Sequence, residues 1–227
     1  MPTILWWPEP VEQIEEMTIP VLGQIYALSL FVPATVGVTR FARLSRAMQI
    51  LAVLCVLSGL DVAAQLFLGL KNVKNYFISD YYRAVETSLL CAVFYYSVAP
   101  KEIRSVLRGL GILFVVIWGA DMIWFNNPDQ YKSGMAMISR TVVLVMSLIT
   151  LQATLKDEQS HLVELPVFWI AMGAVLYSSG TLLVVGLSNQ LLQLGKTCFD
   201  VAWRINWSLL IIANLFYTKG MLCKPQA

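Results

Sequence analysis

The chain has 227 residues, of which 58% are hydrophobic and only 13% charged, with a mean hydropathy of +0.68, whereas soluble domains run at about 45–50% apolar and about 25% charged. That composition excludes a water-soluble globular domain, and at roughly 20 apolar residues per crossing it leaves room for about seven transmembrane helices and no catalytic module beside them. The net charge of +2 comes from 16 basic and 14 acidic residues, too balanced and scattered for a nucleic-acid surface, which concentrates its basic side chains on one face.

The first stretch, MPTILWWPEPVEQIEEM, is acidic and lacks the basic region and small-residue cleavage site of a signal peptide, so it is expected to stay on the mature protein. Its Trp6 and Trp7 are expected to rest at the outer headgroup level; a disordered acidic tail explains them equally well. Apolar stretches of spanning length then follow at 18–39, 47–70, 79–99, 107–125, 134–154, 165–188 and 198–219, which predicts an all-α bundle of seven spans. Span 2 carries Asp61. Span 3 carries Arg83 and Glu86, with Asp80 nearer the interface, and span 4 carries Trp118 and Asp121. Span 5 carries Arg140 near its outer end, from which a stripe runs through Ser147 and Thr154 at seven-residue steps. Span 6 contains Tyr177. Span 7 contains Trp203 and Arg204, from which a stripe runs through Trp207 and Ser208 to Asn214 and Thr218, with Asp200 nearer the interface. Such stripes are expected to face the bundle interior. The linkers are short and none is rich in Gly or Ser, so 1–227 is read as one transmembrane domain.

The orientation follows from the Lys/Arg bias of the loops. The linkers after spans 1, 3 and 5 and the C-terminal tail hold Arg40, Arg43, Arg46, Lys101, Arg104, Arg108, Lys156, Lys219 and Lys224, against Lys71, Lys74, Lys132 and Lys196 on the other side. This places the N-terminus outside and the C-terminus in the cytoplasm. Every ionisable residue within the spans then falls in the outer half of its helix.

A charge at membrane depth costs at least about 2.5–3.5 kcal/mol on insertion scales, so charges found there need partners and usually mark a function. Asp61, Glu86 and Asp121 balance Arg83, Arg140 and Arg204, which predicts a neutral, mutually paired cluster. Flanked by Tyr81, Tyr82, Trp118, Trp124, Tyr177 and Trp203, it resembles a vestibule with aromatic walls. Two plainer readings stand beside that one. Arg–carboxylate pairs between helices can fix register without binding anything, and aromatics at that level can form an interfacial belt. A weak repeat, SGLDV in span 2 and WGADM in span 4, each followed by a span with an arginine near its outer end, suggests three helical hairpins plus span 1.

Several chemistries lack their residues. The only histidine, His161, lies in the loop KDEQSHLVEL, so no metal site is expected. Span 7 has Arg204 where a retinal-binding protein needs a lysine. Asp61 and Asp121 lack the context of an intramembrane aspartyl dyad, and no GxSxG element is present. Cys55, Cys91, Cys198 and Cys223 have no CxxC spacing and are expected as free thiols. No catalytic residue and no cofactor is assigned.

Four stretches carry a resemblance: YYRAVETSLLCAVFYYS, ISRTVVLVMSL, LPVFWIAMGAVLYSSGTLLVVGLSN and WRINWSLLIIANLFYTKGMLC. They resemble a family of small, uncharacterised seven-helix membrane proteins common in Bacteroidota. Glu86, Ser139, Arg140, Thr141, Pro166, Trp169, Tyr177, Ser179, Gly180, Gly220 and Cys223 match its pattern. The resemblance covers spans 3 to 7, is looser over spans 1 and 2, and implies topology and, by the company such proteins keep with histidine kinases, a sensory role.

The expected function is therefore that of a receptor-like or sensory protein holding a small polar or zwitterionic ligand, or a lipid headgroup, in an outward pocket built by spans 2 to 5 and 7. Arg83, Arg140 and Arg204 would meet its anionic group, with Asp61, Glu86 and Asp121 orienting them and Tyr82, Trp118, Tyr177 and Trp203 lining the walls. A separate cytoplasmic or membrane signalling protein would read any signal. The alternatives are a proton-coupled secondary transporter and, last, an intramembrane lipid-modifying enzyme.

Overall fold

In the computed structural model, which describes residues 21–71, 76–98, 100–124, 133–156, 162–193 and 196–223, every regular element is helical. The elements are α1 (Val21–Ser29), α2 (Phe31–Arg40), α3 (Arg46–Leu70), α4 (Tyr76–Ser97), α5 (Lys101–Trp124), α6 (Ser133–Leu155), α7 (Pro166–Gln193) and α8 (Lys196–Leu222), with short 3-10 turns at Phe41–Arg43 and Leu162–Glu164. The acidic N-terminal stretch with Trp6 and Trp7, the loop histidine His161, and Lys74, Lys132 and Lys224 lie outside the described residues.

The first two helices are one rod with a kink. Pro33 has no N–H to give to the Ser29 carbonyl one turn earlier, and its ring crowds that carbonyl, so the helix breaks at Leu30. Seven rods result. Five of them, counting the kinked rod with its 3-10 turn as one, are long and apolar enough to cross a membrane: Val21–Arg43, Arg46–Gly69, Lys101–Trp124, Gly134–Leu155 and Pro166–Leu187. The chain is a multi-pass membrane protein. The other two long helices, α4 and α8, carry Asp80, Arg83 and Glu86 and then Asp200, Arg204 and Lys219, and those charges lower their apolarity.

Helix neighbours define a closed circuit. The α1–α2 rod packs on α3 and α8, α3 on α4, α4 on α6, α6 on α7 and α7 on α8. Among the described residues, helix α5 packs against α4 and α6 on the outside of that ring. Its buried side chains are Leu107 and Phe114, while Ile112, Val116 and Ile123 are exposed, as suits a helix facing lipid. Because lipid tails are as apolar as leucine, close packing and polar contacts rather than hydrophobic burial hold such a bundle together. Small residues permit the approach: a Cβ on Gly37 of α2 would lie 2.6 Å from the Ala52 Cβ of α3, and one on Gly173 of α7 would lie 2.8 Å from the Tyr217 ring of α8.

Within the ring the two ends differ. An apolar core fills one end, with Leu51 and Cys55 early in α3, Val93 and Phe94 late in α4, Val143 and Met146 in α6, Ile170 and Ala174 early in α7 and Met221 at the end of α8. The other end is polar, with Asp61 and Gln65 late in α3, Asp80, Arg83 and Glu86 early in α4, Ser139 and Arg140 early in α6 and Asn206 early in α8, all buried.

Candidate functional site

A cavity of about 70 Å³ opens at the polar end, walled by α1, α3, α4, α6, α7 and α8. Glu86 is its electrostatic centre. Arg140, one helix away on α6, donates from Nη1 to Glu86 Oε2 at 2.8 Å, and the Tyr177 hydroxyl of α7 donates to Glu86 Oε1. The Arg140 guanidinium also lies over the Tyr177 ring, with Cζ 4.4 Å from its centroid, a cation–π contact that strengthens as water is removed. Glu86 and Arg140 are only 5% and 6% exposed. One carboxylate therefore ties three helices together. Beside it Thr87 and Ser139 share a hydrogen bond of 2.7 Å between α4 and α6.

The rest of the wall comes from α3, α4 and α1. Ser58 and Tyr82 share a short hydroxyl–hydroxyl hydrogen bond, and Ser58 also donates to the Leu54 carbonyl at 2.9 Å. Asp61 accepts from Gln65 Nε2 at 2.6 Å through Oδ2. Its other oxygen, Oδ1, is buried and has no hydrogen-bond partner among the described residues. Arg83 donates to Asp80 Oδ1 at 2.9 Å, a pair within one helix turn. Tyr26 lines the cavity from α1, where Ser29 links the Tyr26 carbonyl to Asn214 of α8 through bonds of 2.7 and 2.8 Å.

Six of the expected site residues, Asp61, Tyr82, Arg83, Glu86, Arg140 and Tyr177, meet in this wall. The other four do not. Asp121 and Trp118 are half-buried on α5, outside the ring, where Trp118 packs edge-on against Tyr81 with centroids 5.9 Å apart. Trp203 is buried but stands against Trp207 rather than the cavity. Arg204 is exposed. The expected pairing of three carboxylates with three guanidiniums is corrected accordingly: Arg140 pairs with Glu86, Arg83 with Asp80 of its own helix, and Asp61 with the neutral Gln65. Asp80 lies near the start of α4, as expected, and is buried. The pocket is also built differently, with spans 1 and 6 included and span 4 left out.

The stripe drawn along α8 is corrected in part. Its interior face runs through Trp203, Asn206, Leu210, Ala213, Asn214, Tyr217 and Met221, so Asn214 and Thr218 are buried as expected while Arg204 is turned away. The α6 stripe holds, with Arg140, Ser147 and Thr154 all buried. Sequence reasoning passed over Tyr26, Ser58, Gln65, Ser79, Asn206 and Tyr217. Gln65 and Asn206 had a signal, since an amide at membrane depth needs a partner just as a charge does. Nothing in the sequence distinguishes Tyr26 or Tyr217 from an interfacial aromatic.

Comparison of the chain with protein-family profiles, curated proteins and solved structures returns no match.

Proposed function

We propose that the protein is a seven-span inner-membrane receptor, with its N-terminus outside and its C-terminus in the cytoplasm, that binds a small polar or zwitterionic ligand or a lipid headgroup in the ring cavity. The observation that carries this reading is the position of the cavity: a tyrosine-walled space that holds Asp61, Glu86 and Arg140 over a largely apolar lining, at one end of a bundle whose other end is closed by apolar side chains. The basic loops lie at the apolar end, so the positive-inside bias turns the cavity outward. Guanidinium donors of Arg140 beyond the one held by Glu86 are suited to an anionic group, and Arg83 stands on the same wall. At about 70 Å³ the cavity is far smaller than the roughly 300–1,000 Å³ of sites for drug-sized molecules, which limits the ligand to a few heavy atoms or to a headgroup whose chains stay outside. The resemblance to the Bacteroidota seven-helix proteins belongs to the same reading, as does a separate signalling protein at the cytoplasmic loops. No catalytic step is assigned.

A thermal-shift screen of small polar and zwitterionic compounds on the purified protein tests it. The expected result is a ligand that raises Tm through RT ln(1 + [L]/Kd), loses that effect in Arg140→Met and Glu86→Gln variants, and does not accumulate in proteoliposomes. The second reading, a proton-coupled secondary transporter, is favoured by one feature, the carboxylate of Asp61 on the cavity wall, which accepts a single hydrogen bond. Saturable uptake abolished by Asp61→Asn would establish it instead.

A further inference from the structure

Asp61 is 8% exposed, yet only one of its oxygens is engaged, and the donor is a neutral amide. A buried carboxylate left in that state is costly unless it takes up a proton or a cation comes to it. Arg140 is engaged by Glu86, and Arg83 donates to Asp80. The wall of the cavity that Asp61 lines also carries hydroxyl groups. Ser58 lies one turn before Asp61 on the same face of α3, Tyr82 is bonded to Ser58, and Ser79 lies one turn before Tyr82 on α4. The set holds no thiol or imidazole apart from Cys55, which belongs to the apolar core. All-oxygen donors suit a hard cation rather than a soft one, and a cavity of about 70 Å³ accommodates a small ion with accompanying water.

We infer that the cavity binds a sodium ion at Asp61 Oδ1, with the hydroxyls of Ser58, Ser79 and Tyr82 completing its shell. This deepens the proposed function and rests on the reading that the cavity opens to the outer solution, though not on the choice between receptor and transporter. An ion held there would brace α3 against α4 at the mouth of the pocket. It would also leave the Glu86–Arg140–Tyr177 network free to meet the anionic part of a ligand, so that sodium and ligand occupy adjoining halves of one cavity.

The test is thermal unfolding of the purified full chain in sodium, potassium or choline chloride at constant ionic strength and pH, with no organic ligand present. Sodium is expected to raise Tm in a saturable way that choline does not reproduce and potassium reproduces only at higher concentration. In Asp61→Asn the sodium dependence should vanish while Tm in choline rises, because the uncompensated charge has gone. Ser58→Ala, which keeps the carboxylate, should shift the sodium response to higher concentration. Equal Tm in all three salts overturns the inference, as does a sodium response that survives Asp61→Asn. A choline response matching that of sodium overturns it in favour of an organic ammonium ligand. Any of these results can coexist with a polar ligand bound at Arg140, so failure of the ion site is distinguishable from failure of the receptor reading.

Discussion

Arg140→Met removes one partner of the buried pair on which the site is built. Both partners are at most 6% exposed and their contact is 2.8 Å, so Glu86 would be left as an uncompensated charge among apolar helices, a change that costs about 3–5 kcal/mol where such pairs have been broken. Part of that loss should return in Arg140→Met/Glu86→Gln. A glutamine carbonyl still accepts the Tyr177 hydroxyl, and no charge is left behind. The part that does not return is the cation–π contact over Tyr177, about 0.5–2 kcal/mol. A double-mutant cycle on reversible unfolding in mixed micelles should therefore give a coupling of at least about 2 kcal/mol, well above the average of roughly 0.6 kcal/mol for polar contacts between membrane helices. A coupling under about 0.5 kcal/mol, or equal recovery when Asp61→Asn replaces Glu86→Gln, would refute the assignment of Glu86 as the partner.

The remaining predictions concern packing, placement and topology. Gly37→Ala brings a Cβ to 2.6 Å from Ala52 and should cost about 1–3 kcal/mol by overpacking, whereas Gly119→Ala on lipid-facing α5 meets nothing within 4 Å and should be neutral or stabilising by up to about 1 kcal/mol through helix propensity; the two are compared by unfolding midpoint, and equal effects would contradict the ring with α5 outside it. Arg204→Gln changes an exposed side chain and should alter stability by less than about 1 kcal/mol without affecting a ligand whose binding Arg140→Met abolishes. Single cysteines at Glu12 and Pro225 should label from opposite sides of the membrane, and labelling of both from one side would refute the seven-span topology.

Length and apolarity were legible along nearly the whole chain. The expected spans 47–70 and 134–154 correspond to Arg46–Leu70 and Ser133–Leu155, because a run of apolar residues long enough to cross a bilayer has few other uses. Helix α5 begins at Lys101 rather than near 107, since Lys101, Glu102, Arg104 and Arg108 continue the helix past the end of the apolar run. The kink was missed because Pro33 sits inside an uninterrupted apolar stretch. In the site, Glu86 and Arg140 could be read from the cost of charge at membrane depth, and Tyr177 only as an aromatic expected to flank them. Which way a charge faces could not. In a helix apolar nearly all round, one arginine leaves both faces open, and Arg204 turned outward where Arg140 turned inward. Asp121 followed its helix: membership of the ring is decided by which helices neighbour one another, and hydropathy along one helix carries no record of its neighbours.

The claim on which the account depends is that the polar cavity opens to the outer side. Ser79 lines it and is half-buried, so a cysteine there, introduced after Cys55, Cys91, Cys198 and Cys223 have been replaced by alanine, reports access directly. With a membrane-impermeant maleimide, Ser79→Cys should label from the outer face of intact spheroplasts and be protected by a ligand found in the thermal-shift screen. Labelling only from the cytoplasmic face of inverted vesicles would reverse the orientation, and labelling from neither face, with full reaction after unfolding, would show a closed structural network in place of a binding site.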